Sequence, residues 1–71
     1  MREFAVIFEK THTGWSAYAP DLPGLGVAGS TYEATEQLIR DGISFHIEGL
    51  LADDEAIPEP TTRVVQMPIS A

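Results

Sequence analysis

Apolar and polar side chains alternate along the first 30 residues in the way that β-strands require. Residues 3–9 read EFAVIFE, which places three large apolar side chains on one face of a strand: Phe4, Val6 and Phe8. A short polar stretch ending at Gly14 is typical of a hairpin, and a strand pattern resumes at residues 15–19. After a turn at residues 20–24, a third short strand is predicted at residues 25–29. The pattern therefore predicts a small antiparallel sheet.

A helix is predicted to follow the third strand. Ser30, Thr31, Tyr32 and Glu33 match a capping box, in which the serine hydroxyl and the glutamate carboxylate satisfy free backbone donors. At 100° per residue, apolar and small residues gather on one side of this helix: Ala34, Leu38, Ile39, Gly42, Ile43, Phe45, His46, Gly49 and Leu50. We expect Gly42 and Gly49 to let the helix approach the sheet closely. Ile47 and Leu51 widen the apolar arc beyond what a small sheet can cover.

The last 20 residues combine an acidic exit from the helix with a final apolar stretch. Prolines keep residues 57–60, IPEP, extended, and residues 63–67 are predicted to form an edge strand because Pro68 follows them. The fold class is thus α+β with the order β-β-β-α-β: an antiparallel three-stranded sheet packed on one long helix, with an added C-terminal edge strand. We expect one domain over residues 1–71.

Length and composition point to assembly as a source of stability. The chain has 71 residues and no cysteine, and its two histidines, His12 and His46, are far apart in sequence without carboxylates at metal-site spacing. A core of this size is marginal without disulfides or metal. We therefore expect a homo-oligomer, a dimer or a tetramer, with five candidate interface residues: Ile47, Leu51, Val64, Val65 and Met67.

Charge is distributed unevenly. The formal net charge is −7, and residues 31–71 hold eight of the eleven acidic side chains but only two of the four basic ones. Such a surface disfavours direct binding to nucleic acid and favours a basic protein partner, although acidity alone also keeps small proteins soluble. The candidate partner-binding residues are Asp53, Asp54, Glu55 and Glu59. The sequence has neither a signal-peptide core nor a membrane-spanning run, so we expect a cytoplasmic protein.

No catalytic constellation is present in the sequence. Two-metal chemistry needs several carboxylates that converge from strand centres, whereas Glu3 and Glu9 lie at the ends of the first strand and Asp21 lies in a turn. His46 falls in the apolar sector of the helix and has no nucleophile at a motif spacing. We therefore expect no enzyme activity, no metal site and no cofactor.

Three local strings together are more specific than any one of them. Residues 15–24 read WSAYAPDLPG, residues 29–34 read GSTYEA, and residues 47–51, IEGLL, run on to the IPEP segment. Their order and spacing resemble the HicB-like antitoxin family over residues 4 to 66. Within this resemblance, the turn formed by Asp21, Leu22, Pro23 and Gly24 is interpreted as structural scaffolding that shapes the edge of the sheet.

The resemblance implies a partial RNase-H-like fold and a type II antitoxin that neutralises a small, basic, RNA-cleaving toxin of the HicA type by covering its active site. Family antitoxins commonly carry a C-terminal DNA-binding module. The sequence ends at Ala71, directly after the predicted last strand, so we expect an antitoxin domain without that module. The alternative is an orphan oligomeric domain of the same fold that binds another protein or a small molecule.

Overall fold

A computed structural model describes residues 2–70 and shows three antiparallel strands followed by one long helix. The strands are β1 (Ile7–Lys10), β2 (Trp15–Tyr18) and β3 (Gly26–Gly29), and they lie in the order β1-β2-β3. The helix, α1, spans Tyr32–Ala52. The predicted α+β class and the predicted three-stranded antiparallel sheet are confirmed.

β1 is shorter than its sequence pattern predicts. Its register pairs Ile7 with Tyr18 and Lys10 with Trp15. Residues 3–6 would continue this ladder opposite residues 19–22, but Pro20 has no N–H to donate and the chain turns there. Residues 3–6 therefore precede β1 without pairing to another strand.

The start of α1 lies one residue later than the predicted capping box. Thr31, and not Ser30, is the N-cap: its hydroxyl accepts a hydrogen bond from the N–H of Ala34 at 3.1 Å. The carbonyl of Thr31 accepts the first helical bond from the N–H of Thr35 at 3.0 Å. Both candidates carry a hydroxyl, and the backbone bond decides which of them caps the helix.

The core lies between α1 and the β2–β3 half of the sheet. Its buried apolar side chains are Ala17, Ala19, Leu22 and Ile39. Thr35 is also fully buried, and its hydroxyl donates to the carbonyl of Thr31 at 2.7 Å, which satisfies the polar group. The helix backbone packs closely on β3 and β2, while no Cα atom of α1 comes within 8 Å of a β1 Cα.

Gly42 permits this close approach, but Gly49 does not take part in it. A Cβ atom at Gly42 would lie 3.1 Å from Cδ1 of Leu25, whereas one at Gly49 would meet no atom within 4 Å. The prediction for Gly42 is confirmed and the one for Gly49 is wrong. Leu38 and Phe45, which share the side of Gly49, are 45% and 78% exposed. The buried side of the helix therefore runs through Thr35, Ile39 and Gly42.

The predicted C-terminal edge strand is not confirmed. The structure assigns no strand to residues 53–70, and all side chains from residue 61 to residue 70 are exposed. No strand of the described residues pairs with residues 63–67. The complete partial RNase-H-like arrangement is likewise not confirmed, because it includes that strand.

Candidate partner-binding surface

The turn between β2 and β3 is fixed by a proline and a glycine. The N–H of Leu25 donates to the carbonyl of Leu22 at 3.3 Å, with Pro23 and Gly24 at the two central positions. Gly24 has a φ of 85°, as a type II turn requires at its third position. The side chain of Leu22 is fully buried and so anchors the turn to the core.

Asp21 binds the chain far downstream of this turn. Its two carboxylate oxygens accept hydrogen bonds from the hydroxyls of Thr61 and Thr62, at 3.1 and 2.8 Å, and from their backbone N–H groups, at 3.2 and 3.1 Å. The hydroxyl and then the N–H of Thr62 lower the pKa of Asp21 below its usual 3.8; burial opposes this effect, and the two bonds from Thr61 lower the pKa further. We call this set of contacts the Asp21 clamp.

Three of the four predicted partner-binding acids terminate α1. Asp53 is the C-cap, Asp54 adopts a left-handed φ of 57°, and the N–H of Glu55 donates to the carbonyl of Leu50 at 2.8 Å. The N–H of Asp54 also donates to the carbonyl of Leu51 at 3.1 Å. These bonds form a Schellman motif, which satisfies the last carbonyls of a helix. All three acidic side chains are exposed and adjacent.

Glu59, the fourth acid, lies apart from these three. Its carboxylate oxygen Oε1 is 3.4 Å from a guanidinium nitrogen of Arg2, and both side chains are largely exposed. An exposed ion pair of this kind contributes little to stability. It nevertheless gives Glu59 a basic neighbour. Among the hydrogen bonds and ion pairs of residues 2–70, the acids at the end of α1 have no such neighbour.

The five predicted interface residues lie on two different segments, α1 and the chain after residue 62. Ile47 is half-buried, Leu51 is 61% exposed at the end of α1, and the other three lie on the extended segment that follows the Asp21 clamp: Val64, Val65 and Met67. That segment, residues 63–70, is called the arm below. Together with Ile69, the arm exposes four large apolar side chains.

An open groove lies between α1 and the β1 side of the sheet. It has a volume of about 450 Å³ and continues into a second depression towards Ile57. We call it the β1 groove; its apolar lining consists of Phe4, Val6, Phe8, Ile39, Ile43 and Ile47. Arg2 and Arg40 lie at its margin together with Glu3 and Glu36. The groove exists because the helix is displaced towards β3. Sequence periodicity did not reveal it.

Aromatic side chains pack beside Phe8, which lines the β1 groove. The ring of Tyr32, in the first turn of α1, packs against Phe8 at a centroid distance of 4.5 Å and edge-on against Trp15 at 5.4 Å. The ammonium of Lys10 lies 5.2 Å from the centre of the Trp15 ring. Trp15 thus faces the helix, whereas Tyr18 lies on the opposite face of the sheet and is 41% exposed.

The histidines lie in separate parts of the structure. His12 is exposed in the β1–β2 hairpin, and His46 is half-buried on α1. Among residues 2–70, no three His, Asp or Glu side chains are close enough together to hold a metal ion. Within the same residues, α1 lacks the long apolar stretch that crossing a membrane requires.

Comparison with known proteins decides the family. The family described as HicB_like antitoxin of bacterial toxin-antitoxin system matches residues 4–68. The chain belongs to the HicB-like antitoxin family. A relative from Haemophilus phage HP1, described as an uncharacterized 14.9 kDa protein in the rep-hol intergenic region, is 36% identical over 67 residues. A UPF0150 protein of Synechocystis sp. is 33% identical over 57 residues.

The two relatives differ in how much of their length the HicB-like chain matches. The alignments cover 92% and 79% of this chain, but 50% of the phage protein and 72% of the Synechocystis protein. The antitoxin family match therefore concerns residues 4–68 of this chain, whereas half of the phage relative lies outside the alignment.

Proposed function

We propose that this HicB-like chain binds a HicA-type RNA-cleaving toxin and neutralises it by covering the active site. The observation that carries the proposal is the antitoxin family match over residues 4–68, which includes both the sheet and the helix. The charge distribution supports it, because a protein that holds an RNA-binding enzyme must complement basic groups that otherwise contact phosphates. In this view the acidic half of the chain competes with RNA for the toxin.

The acids at the end of α1 are the strongest candidates for steering the encounter. A helix C-terminus carries partial negative charge, and the last turn of α1 contains no basic residue, so Asp53, Asp54 and Glu55 add negative charge where it is unfavourable. Their backbone closes the helix, but their negative charges do not stabilise the free domain. A basic partner would remove this unfavourable interaction on binding, which favours a role in association.

The negative net charge also disfavours binding to nucleic acid. We infer that residues 1–71 make no direct contact with DNA or RNA, since their net charge is −7.

We also infer a cytoplasmic location, where a toxin of this class meets its RNA, and a homo-oligomeric state that covers part of the exposed apolar surface at Leu51 and along the arm.

Co-expression tests the proposed function. Growth arrest caused by a HicA-type toxin expressed in the same cells should be relieved when the chain is supplied in trans, and the two proteins should co-purify at low salt. Failure of both rescue and co-purification would exclude the antitoxin proposal and favour the orphan-domain alternative.

Charge reversal tests the steering surface. Changing Asp53, Asp54 and Glu55 together to lysine should slow association with the toxin and flatten its salt dependence, while the dissociation rate changes less. The matched control reverses three exposed acids elsewhere, Glu9, Glu33 and Glu48, so that the net charge changes equally. Stopped-flow association measured at several salt concentrations distinguishes the two variants. Equal slowing by both would show that net charge, and not the helix end, steers the encounter.

A further inference from the structure

The helix α1 exposes an apolar flank on the side of β3. Gly42 faces that strand, since a Cβ atom there would lie 3.1 Å from Cδ1 of Leu25 and 4.0 Å from Cγ1 of Val27. Leu38 precedes Gly42 by four residues and Phe45 follows it by three, which makes both of them its neighbours on the helix surface. Leu38 is 45% exposed and Phe45 is 78% exposed. We call these two side chains the β3 flank.

Nothing in the described part of the chain covers the β3 flank. A Cβ atom at Gly49, which lies four residues after Phe45, would meet no atom within 4 Å, so the space beside the phenylalanine ring is open. The β1 groove is on the other side of the helix, where Ile43 and Ile47 line it. A largely exposed phenylalanine beside a second large apolar side chain is typical of a protein–protein contact.

The free edge of β3 adds unpaired backbone groups to this surface. β3 pairs with β2 on one side, and no other strand of the described residues lies beside it. Its sequence, GVAG, has no charged side chain and no proline, and its register with β2 contains no bulge. Natural proteins use these three devices to keep an edge strand from pairing. The edge of β3 is therefore open to a strand from another protein.

The charges beside the β3 flank favour a basic partner. Asp41 is three residues after Leu38 and four before Phe45, so its exposed carboxylate lies next to both side chains. The three exposed acids that follow α1 continue this negative surface at the end of the helix. The four basic side chains lie elsewhere: Arg2 and Arg40 at the margin of the β1 groove, Lys10 beside Trp15, and Arg63 at the start of the arm.

A second copy of the chain fits this surface poorly. In a symmetric contact the same patch of each copy meets the other. The Asp41 carboxylates of both copies would then approach each other, together with the acids at the helix ends, and like charges at an interface are unfavourable. A basic partner brings the opposite charge to the same acids.

We propose that the β3 flank and the free edge of β3 form the surface that docks the basic toxin, with the ring of Phe45 as the apolar anchor. The inference rests on the proposed antitoxin function and names the surface through which it acts. A strand at the edge of the toxin's sheet extends the sheet at β3, and apolar toxin side chains pack on Leu38 and Phe45. Asp41 and the acids at the end of α1 face basic groups of the toxin.

Truncation of Phe45 tests the anchor. Phe45→Ala should weaken the affinity for a purified HicA-type toxin by about 30-fold or more, because aromatic anchors contribute much of the binding energy of an interface, whereas Ile69→Ala should weaken it less than about threefold. The control is matched in exposure, since Ile69 is 79% exposed on the arm. A solution titration at low salt measures both affinities, and circular dichroism verifies the fold.

Amide exchange measured by NMR tests the strand edge without any substitution. The amides of β3 that point away from β2 should exchange at least about tenfold more slowly in the toxin complex than in the free chain. The outward amides of β1, at the other edge of the same sheet, are the control and should not change. Slower exchange at β1 and not at β3 would overturn the proposed surface.

The remaining outcomes separate this inference from the proposed function. An unmodified chain that binds no HicA-type toxin would refute the proposed function and the docking surface with it. Equal binding by the unmodified chain and Phe45→Ala would leave the antitoxin function in place and overturn the docking surface alone. Light scattering without toxin gives the last comparison: a homo-oligomer that dissociates in Phe45→Ala would assign the β3 flank to a second copy and would also overturn the proposal.

Discussion

The two edges of the sheet face very different surroundings. At the β3 edge the helix packs closely, because Gly42 brings its backbone against Leu25 and Val27. At the β1 edge the helix is too distant to cover the sheet, and an open apolar groove remains. The difference indicates that stability is concentrated on one side of this small domain, while the other side keeps apolar surface and free backbone groups for binding.

A pair of leucine truncations should produce the largest contrast between the two regions. Leu22 is fully buried beneath the β2–β3 turn, and Leu51 is 61% exposed at the far end of the helix. Leu22→Ala should lower the free energy of unfolding by about 2–4 kcal/mol, because it leaves a cavity, and Leu51→Ala by about 0.5 kcal/mol or less. Urea denaturation of dilute protein measures both. Similar losses would mean that the end of the helix is part of the core.

Alanine substitutions at the two glycines of α1 should differ less in their effect on the free energy of unfolding than the leucine truncations do. Only the substitution at Gly49 should be stabilising. Gly49→Ala should raise the free energy of unfolding by about 0.5–1 kcal/mol, because alanine favours the helix and the new methyl group meets no atom within 4 Å. At Gly42 the methyl group would lie 3.1 Å from Leu25, so the same change should bring no gain or a loss. Thermal unfolding of the two variants decides this. Equal stabilisation would show that the helix does not approach the sheet at Gly42.

Acidification should have the smallest effect, confined to the start of the arm. The pKa of Asp21 is lowered in the folded state, so the unfolded state binds a proton more readily. The contribution of the Asp21 clamp is therefore complete well above pH 3.8 and is lost as the pH falls through the lowered pKa. The protection factors of the Thr61 and Thr62 amides, which are corrected for the intrinsic pH dependence of exchange, should fall in that range, and Asp21→Asn should remove this fall. Unchanged protection in Asp21→Asn would show that other contacts hold the segment.

Local patterns in the sequence predicted the elements of this fold but not their contacts. The β1–β2 hairpin, the three strands and the helix follow from alternation, turn residues and a hydroxyl cap. The buried side of the helix was harder to predict, because apolar residues occur on several sides. Thr35 is buried although it is polar, and Phe45 is exposed although it is aromatic.

Contacts between distant parts of the chain cannot be predicted from the local sequence pattern. Asp21 was interpreted as part of a turn, but its hydrogen bonds to Thr61 and Thr62 join residues about forty positions apart, and no periodicity reports such a contact. The strand predicted for residues 63–67 is not confirmed, because a strand needs a neighbouring strand and the described residues of one chain supply none. The β1 groove depends on the displacement of the helix, which is a tertiary feature.

Inhibition of RNA cleavage tests the central claim most directly. Purified HicA-type toxin should lose its activity on a labelled RNA as the chain is added, with complete inhibition near equimolar amounts at low salt and weaker inhibition as salt rises. The RNA itself should not protect the toxin from a saturating amount of the chain. Full toxin activity in the presence of excess folded chain at low salt would contradict the antitoxin account.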